Sequence, residues 1–105
     1  MADRLIALQR MLERNPRDGR AHFGLAAEYE KQGDWAKVVQ HLEHYLELAD
    51  DQGNAWGRLG KALARLGRPD AAISAYRRGI AQAQQYGHPS MAAEFEETIQ
   101  TLQPD

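Results

Sequence analysis

The sequence contains no cysteine, and only two tryptophans and two phenylalanines occur among its 105 residues. The absence of cysteine excludes disulfides, thiolate metal sites and cysteine nucleophiles. No apolar run approaches the ~20 residues that a membrane-spanning helix needs. The formal net charge is only −2, whereas a dedicated nucleic-acid-binding protein usually has a strong basic excess. We therefore expect neither a membrane nor a nucleic acid as a partner.

The chain also lacks the apolar block of a secretory signal, because Met1–Arg4 leads directly into an amphipathic pattern. The absence of cysteine is compatible with a reducing compartment. The resulting prediction is a cytoplasmic protein. At 105 residues the chain fits one domain, near the lower end of what can bury a core unaided.

What the sequence does contain is a regular apolar pattern between residues 56 and 80. Apolar residues recur at helical spacing on each side of a short turn, which predicts two amphipathic helices. Gly67 can adopt the left-handed conformation that ends a helix, and Pro69 suits the first turn of the next helix. We expect a helix hairpin in which Gly60 allows a close approach to Ala72. The apolar positions are Trp56, Leu59, Leu63, Ile73, Tyr76 and Ile80.

The same pattern recurs one period of ~34 residues upstream, which is the spacing of helix–turn–helix repeats of the tetratricopeptide type. The chain resembles that family over nearly its whole length. The second unit carries the resemblance through Trp56, Leu59, Gly60, Ala72 and Tyr76, and the first through Leu25, Ala26, Tyr29 and the 31–34 turn. His22 stands where the family has its tryptophan in the first unit.

The resemblance implies an all-α fold, a right-handed superhelix of antiparallel helix pairs with about six helices. Within the family, the chain is similar to small stand-alone bacterial members. We expect a single domain over residues 1–105, ending in a helix with one polar face that caps the stack. Its predicted parts are a leading half-repeat helix (1–16), repeat 1 (19–52), repeat 2 (53–86) and a carboxy-terminal capping helix (87–105).

In this family the first helices of successive repeats line a concave groove. The groove positions correspond here to Arg20, Phe23, Gly24, Ala27, Glu30, Lys31, Asn54, Gly57, Arg58, Lys61, Ala64 and Arg65. All but Gly24, Glu30 and Ala64 are expected to contact a bound peptide. Arg58, Lys61 and Arg65 form a cationic stripe on one helix face, which favours acidic segments. The alternative is that these cations only keep an amphipathic helix solvated.

The function that the resemblance implies is non-enzymatic: binding of a peptide or helix of another protein in the groove, without a cofactor. The alternative is a structural subunit that self-associates or docks through exposed apolar faces of its terminal helices. The first helix has the apolar surface that such docking needs, which Leu5, Ile6, Leu8, Met11 and Leu12 provide. We expect a monomer or a weak homodimer.

Groups that could support chemistry have simpler explanations. His41 and His44 are three residues apart, a spacing that could present two imidazoles to a metal. Both fall on the outward side of their helix in the repeat, so we expect them to be solvated and predict no metal site. Five glutamates are expected to lie on solvated faces: Glu28, Glu30, Glu94, Glu96 and Glu97. No serine or threonine has the partners of a catalytic triad at a suggestive spacing, so no catalytic residue is predicted.

Overall fold

The structure is a computed structural model that describes residues 2–103. These residues form six α-helices and no strand: α1 (Ala2–Arg14), α2 (Gly19–Gln32), α3 (Trp35–Leu48), α4 (Asn54–Arg65), α5 (Pro69–Gln85) and α6 (Pro89–Leu102). The prediction of an all-α fold with about six helices is confirmed.

The helices group into two compact units, unit 1 with α1–α3 and unit 2 with α4–α6. Each unit is built around one helix hairpin, α2 with α3 in unit 1 and α4 with α5 in unit 2. A third helix completes each unit, because α1 packs against α2 and α6 packs against α5. Each unit therefore combines one full repeat with one additional helix.

Local capping residues set the helix boundaries. Asp18 precedes α2, and its carboxylate accepts hydrogen bonds from the backbone N–H groups of Arg20 and Ala21 at 3.1 and 3.2 Å. Asp34 caps α3 in the same way by accepting from Lys37 N–H at 3.3 Å. These bonds satisfy donors that the first turn of a helix leaves unpaired. Asp34 thus fixes the start of α3.

The two units have differently built cores. The largest fully buried side chains, Leu25, Val38 and Leu42, all belong to unit 1. Unit 2 instead buries several alanines completely, and its larger core residues are Leu59, Leu63 and Tyr76. Small side chains let the two helices of a hairpin approach closely and leave room for a large residue opposite.

Gly60 is an example of a small residue that leaves room for a large one opposite. A Cβ atom at Gly60 would lie 2.7 Å from Cε2 of Tyr76, which is closer than real Cβ contacts allow. The side chain nearest to this position is therefore that of Tyr76, a neighbour that the sequence analysis did not name. In unit 1, Ala26 stands at the position of Gly60 and Leu42 at the position of Tyr76. The residue on the first helix is thus larger than in unit 2, and the residue opposite it is smaller.

Candidate binding surface

The exposed side of α4 carries three of the predicted cations. Asn54, Arg58, Lys61 and Arg65 follow one another at intervals of four, three and four residues, so they lie along one side of the helix. Asn54, Lys61 and Arg65 are exposed, and Arg58 is partly exposed. The opposite side of α4 is buried and includes Ala55, Leu59, Ala62 and Leu63. We call the four polar residues Asn54, Arg58, Lys61 and Arg65 the α4 stripe.

The start of α4 is held by the connector that precedes it. The Asp51 carboxylate accepts hydrogen bonds from the backbone N–H groups of Gly53 at 2.8 Å and Ala55 at 2.9 Å. Gly53 has a φ of 124°, a conformation that favours glycine. A Cβ there would also lie 3.1 Å from the carbonyl oxygen of Gly79 on α5. The connector therefore requires glycine at this position.

Residues at and just after the end of α5 form hydrogen bonds with the same connector. The amide of Gln82 donates to the Asp51 carbonyl at 2.8 Å and to the Asp50 carboxylate at 3.1 Å. The Tyr86 hydroxyl also donates to Asp50. This hydrogen bond to a carboxylate raises the pKa of Tyr86, with a further contribution from desolvation. These bonds orient the first turn of α4 relative to α5, and with it the α4 stripe.

Gly57, a predicted groove residue, is buried beneath a side chain of α6. A Cβ at Gly57 would overlap Cζ and Cε1 of Phe95, and a Cβ at Gly79 would lie 2.8 Å from Cε2 of the same ring. The ring also packs against Tyr76, with ring centroids 5.4 Å apart. Gly57 and Gly79 thus form a notch that the Phe95 ring fills. The backbone of Gly57 is covered by this side chain of α6.

The four predicted groove residues of unit 1 are Arg20, Phe23, Ala27 and Lys31. Phe23 and Ala27 are partly buried, and Phe23 packs against the Tyr45 ring at a centroid distance of 4.9 Å. The side chain of Arg20 is 90% exposed, with its Nε 3.9 Å from the Asp18 carboxylate. The Lys31 ammonium lies 3.1 Å from the carboxylate of Glu28.

Helix α1 covers part of this side of α2. A Cβ at Gly24 would lie 2.9 Å from Cδ2 of Leu8, so Leu8 occupies the space over Gly24. Arg4 donates from Nε to the Glu28 carboxylate at 3.1 Å. Of the predicted groove residues on α2 and on α4, those of the α4 stripe form the more continuous polar surface. On α2 the position that corresponds to Arg58 is Gly24, and Leu8 packs on it.

Glu28 is buried, and the prediction that it lies on a solvated face was wrong. Its side chain is 3% exposed, and one carboxylate oxygen accepts from both Arg4 and Lys31 at 3.1 Å. The hydrogen bond from Lys31 is the main reason that the pKa of Glu28 is lowered, while desolvation acts in the opposite direction. The sequence signal was Arg4 itself, a cation at a repeat position where Val38 and Ala72 are apolar.

The histidines of unit 1 form a cluster, which we call the histidine cluster: His22, His41 and His44. Nδ1 of His22 lies 3.1 Å from Nδ1 of His41, and the His22 ring stacks on His44 with centroids 4.8 Å apart. His41 is partly buried and His44 is exposed. The prediction of two solvated histidines was therefore wrong for His41.

Burial lowers the pKa of His41 to about 4, with the nearby charges of His22, His44 and Lys37 acting in the same direction. Sequence reasoning overlooked His22, although its position one period before Trp56 placed it where the family buries a tryptophan. Among the described residues, no group of three or more histidine, cysteine, aspartate or glutamate side chains has an arrangement that could hold a metal ion.

Two shallow depressions lie on unit 2, on either side of Arg77, with volumes of about 350 and 360 Å³. They are lined by residues of α5 and α6 together with Gln103, and none of the nine predicted groove residues takes part. Both lie open to solvent, so they resemble surface relief between helices more than a ligand pocket.

Comparisons with known proteins agree with this architecture. A family model described as tetratricopeptide repeat matches residues 29–93. The chain is also 30% identical over 92 residues to the TPR repeat-containing protein PA0015 of Pseudomonas aeruginosa, an alignment that covers 88% of this chain and 86% of that protein. The chain therefore belongs to the tetratricopeptide repeat family.

Membership in this family has a general functional meaning. Tetratricopeptide repeats generally mediate protein–protein interactions, and proteins of the family are typically non-enzymatic. Within the described part of the chain, no helix combines the length and the apolar character needed to cross a membrane.

Proposed function

We propose that the chain is a non-enzymatic interaction module that binds an acidic segment of another protein along the α4 stripe. The observation that carries this proposal is the stripe itself, three cations and an asparagine on one side of a helix that is anchored at its start and buried on its other side. The apolar contact predicted at Phe23, which belongs to unit 1, stays a prediction from the sequence. A cytoplasmic location and a single domain over residues 1–105 stay predictions from the sequence.

The charge of the stripe explains the choice of ligand. Three cations within about two helical turns raise the local potential on a chain whose formal net charge is −2, so acidic segments are attracted to one place. Side chains as exposed as Lys61 and Arg65 contribute modestly, and salt screens them over about 8–10 Å at physiological ionic strength. We expect dissociation constants of order micromolar, because a flexible peptide also loses conformational entropy on binding.

The experiment measures binding of fluorescent peptides that differ in net charge, at low and at moderate salt. The double variant Arg58→Glu/Lys61→Glu should bind an acidic peptide at least tenfold more weakly than the wild type, about 1.4 kcal/mol. The matched control is Arg68→Glu/Arg77→Glu, which makes the same charge change at two exposed cations of unit 2 outside the stripe. This control should lose at most threefold or so, through long-range repulsion alone.

Phe23, the apolar contact predicted from the sequence, is tested separately from the α4 stripe. Phe23→Ala should weaken binding by an amount that changes little with salt, since its contribution is apolar burial. If the wild type shows no preference for acidic peptides, or if both double variants bind equally, the α4 stripe is only a solvated face.

The second candidate function is assembly through α1. Ile6 is 44% exposed, which makes it one of two exposed large apolar residues among those described, with Leu66 at 40%. Leu5, Met11 and Leu12 on the same helix are partly buried. Sedimentation velocity over a hundredfold range of concentration would test this role. A dimer that Ile6→Gln abolishes, while the α4 variants leave it intact, would favour assembly over peptide binding.

A further inference from the structure

The hydrogen bonds of the histidine cluster connect α2, α3 and the turn between α1 and α2. Nε2 of His22 lies 2.9 Å from the carbonyl oxygen of Pro16, in the turn between α1 and α2. A carbonyl can only accept, so this nitrogen carries a hydrogen. Nδ1 of His22 then faces Nδ1 of His41 on α3, 3.1 Å away. In the neutral state His22 accepts there, and His41 donates.

Counting protons shows how much charge this arrangement can hold. The neutral pair has one hydrogen between the two Nδ1 atoms. One extra proton can be placed on either ring while the bond between them is kept, because a single hydrogen still lies in the gap. A second extra proton gives both Nδ1 atoms a hydrogen, and two donors then face each other across 3.1 Å. The bond between α2 and α3 must break at that point.

The surroundings oppose protonation of His41. His44 and Lys37 on α3 and His22 on α2 are the charged or titratable groups that act on His41, and all of them carry positive charge when ionised. On α2 the neutral Tyr29 ring lies parallel to His41, with centroids 5.6 Å apart. From α1 the uncharged amide of Gln9 reaches this region, at 3.4 Å from the Tyr29 hydroxyl.

Unit 2 fills the same repeat positions with groups that do not titrate near neutrality. Trp56 stands in the place of His22, Arg78 in that of His44 and Ala75 in that of His41. The guanidinium carbon of Arg78 lies 4.6 Å from the centroid of the Trp56 ring, a permanent cation–π contact. The two units therefore use the same place in the hairpin for a proton-dependent and a proton-independent contact.

We propose that the His22–His41 pair is a proton-sensitive latch, which holds α2, α3 and the Pro16 turn together at neutral pH and weakens progressively as the solution becomes acidic. Unit 2 stays closed under the same conditions. This device acts on unit 1 and does not depend on peptide binding by the α4 stripe. The sign follows from the pKa of His41, which is about 4 in the folded chain against 6.5 as its ordinary value. The latch contributes fully above pH 6.5, and its contribution declines as the pH falls towards 4.

The first test measures hydrogen–deuterium exchange of the whole chain at pH 7.5 and 5.5, expressed as protection factors to remove the intrinsic pH effect. Peptides from α2 and α3 should lose protection up to tenfold per pH unit for each proton that opening takes up. Peptides from α4 and α5 should change less. His41→Gln should reduce the pH dependence in unit 1, since an amide can donate to His22 but cannot be protonated. The matched control His88→Gln changes the histidine of unit 2, which contacts Gln52 at 2.8 Å.

Equal loss of protection in both units, or an unchanged pH dependence in His41→Gln, would overturn the proposal. If His41→Gln does not fold, an NMR titration of the wild-type imidazoles replaces it. His41 should then titrate below pH 5 in the folded chain, while the protection of α2 and α3 declines already as the pH falls below about 6.5. A midpoint of His41 near 6.5 would contradict the latch. Zinc is added at pH 7.5 as a last arm. A rise in Tm that His41→Gln lacks would show that the pair holds a cation and is not a proton latch.

Discussion

The two units place different side chains at the same positions of one repeat. In unit 1, Phe23 and Tyr45 pack against each other, whereas unit 2 has Gly57 and Gly79 at these positions and admits Phe95 of α6 between them. The space that unit 1 fills with two rings of its own hairpin is filled in unit 2 by a ring from a third helix. Both units therefore fill this space with aromatic rings, although different residues provide them, as close packing of a core requires.

A second pair of positions shows the same compensation. Ala26 and Leu42 of unit 1 correspond to Gly60 and Tyr76 of unit 2. The larger ring of Tyr76 fits because Gly60 has no side chain. The comparison teaches that a repeat position cannot be read alone, since the volume allowed at one position depends on the residue opposite.

The largest effect is expected when the notch of unit 2 is emptied. Phe95→Ala should lower the free energy of unfolding by about 3 kcal/mol, near the low end for truncation of a core phenylalanine because the ring is only partly buried. Urea denaturation followed by circular dichroism provides the measurement. Glu96→Ala on the exposed side of α6 is the control and should change stability by less than about 0.5 kcal/mol. A similar loss in both variants would show that α6 contributes through its helical surface in general and not through the notch.

The next largest effect on stability is expected where the Tyr76 ring occupies the space that Gly60 leaves free. Gly60→Ala gains up to about 1 kcal/mol in helix propensity but forces the Tyr76 ring to move, which costs about 1–3 kcal/mol. With Tyr76→Leu, which recreates the pair found in unit 1, the clash disappears and only the propensity gain remains. A double-mutant cycle should therefore give a favourable coupling of about 1–2 kcal/mol between Gly60→Ala and Tyr76→Leu. Strict additivity would mean that the two residues do not share this space.

A smaller and pH-dependent effect is expected at Glu28, where unit 2 has the buried Ala62. Because its pKa is lowered in the folded chain, ionised Glu28 adds stability above its ordinary pKa of about 4.5. That contribution is lost as the pH falls through the lower folded value. Glu28→Gln should thus reduce the denaturation midpoint at pH 7 and have a smaller effect at pH 3. An equal reduction at both values would indicate that the shape of the side chain matters and its charge does not.

The smallest effect is expected for the exposed ion pairs. Arg20→Ala removes a cation that is 3.9 Å from Asp18 and 90% exposed. Its removal should change the free energy of unfolding by less than about 0.5 kcal/mol, because water and salt screen such pairs. Asp18→Ala is the informative comparison, since it also removes the cap of α2 and should cost about 1 kcal/mol. Equal effects of the two variants would contradict the assignment of Asp18 as a cap.

The fold could be predicted largely from the sequence because its signals are local. The ~34-residue period, the turn glycines and caps such as Asp34 are signals for where each helix begins and ends. One example is the end of α5 at Gln85, which is followed by Gly87 with a φ of 75°.

The contacts that could not be predicted come from helices that are distant in sequence. Arg4 of α1 reaches Glu28 of α2, and Phe95 of α6 covers Gly57 of α4. The repeat pattern gives the side of the helix on which Glu28 and Gly57 lie, but not the side chain that meets them. The His22–His41 contact was missed for a related reason, since each residue is ordinary in its own helix and only their pairing is informative. The repeat pattern does not specify the residues that bind a peptide, and the proposed binding experiments identify them.

The close approach of Gly60 to Tyr76 also constrains the order in which substitutions can accumulate. A hairpin that begins with alanine and leucine at these positions can reach glycine and tyrosine by two routes. If alanine becomes glycine first, the intermediate has a small cavity at some cost in stability. If leucine becomes tyrosine first, the intermediate must place a ring where a Cβ lies only 2.7 Å away. The route in which alanine becomes glycine before leucine becomes tyrosine is therefore the easier one. The two substitutions thus have a preferred order when such repeats diverge.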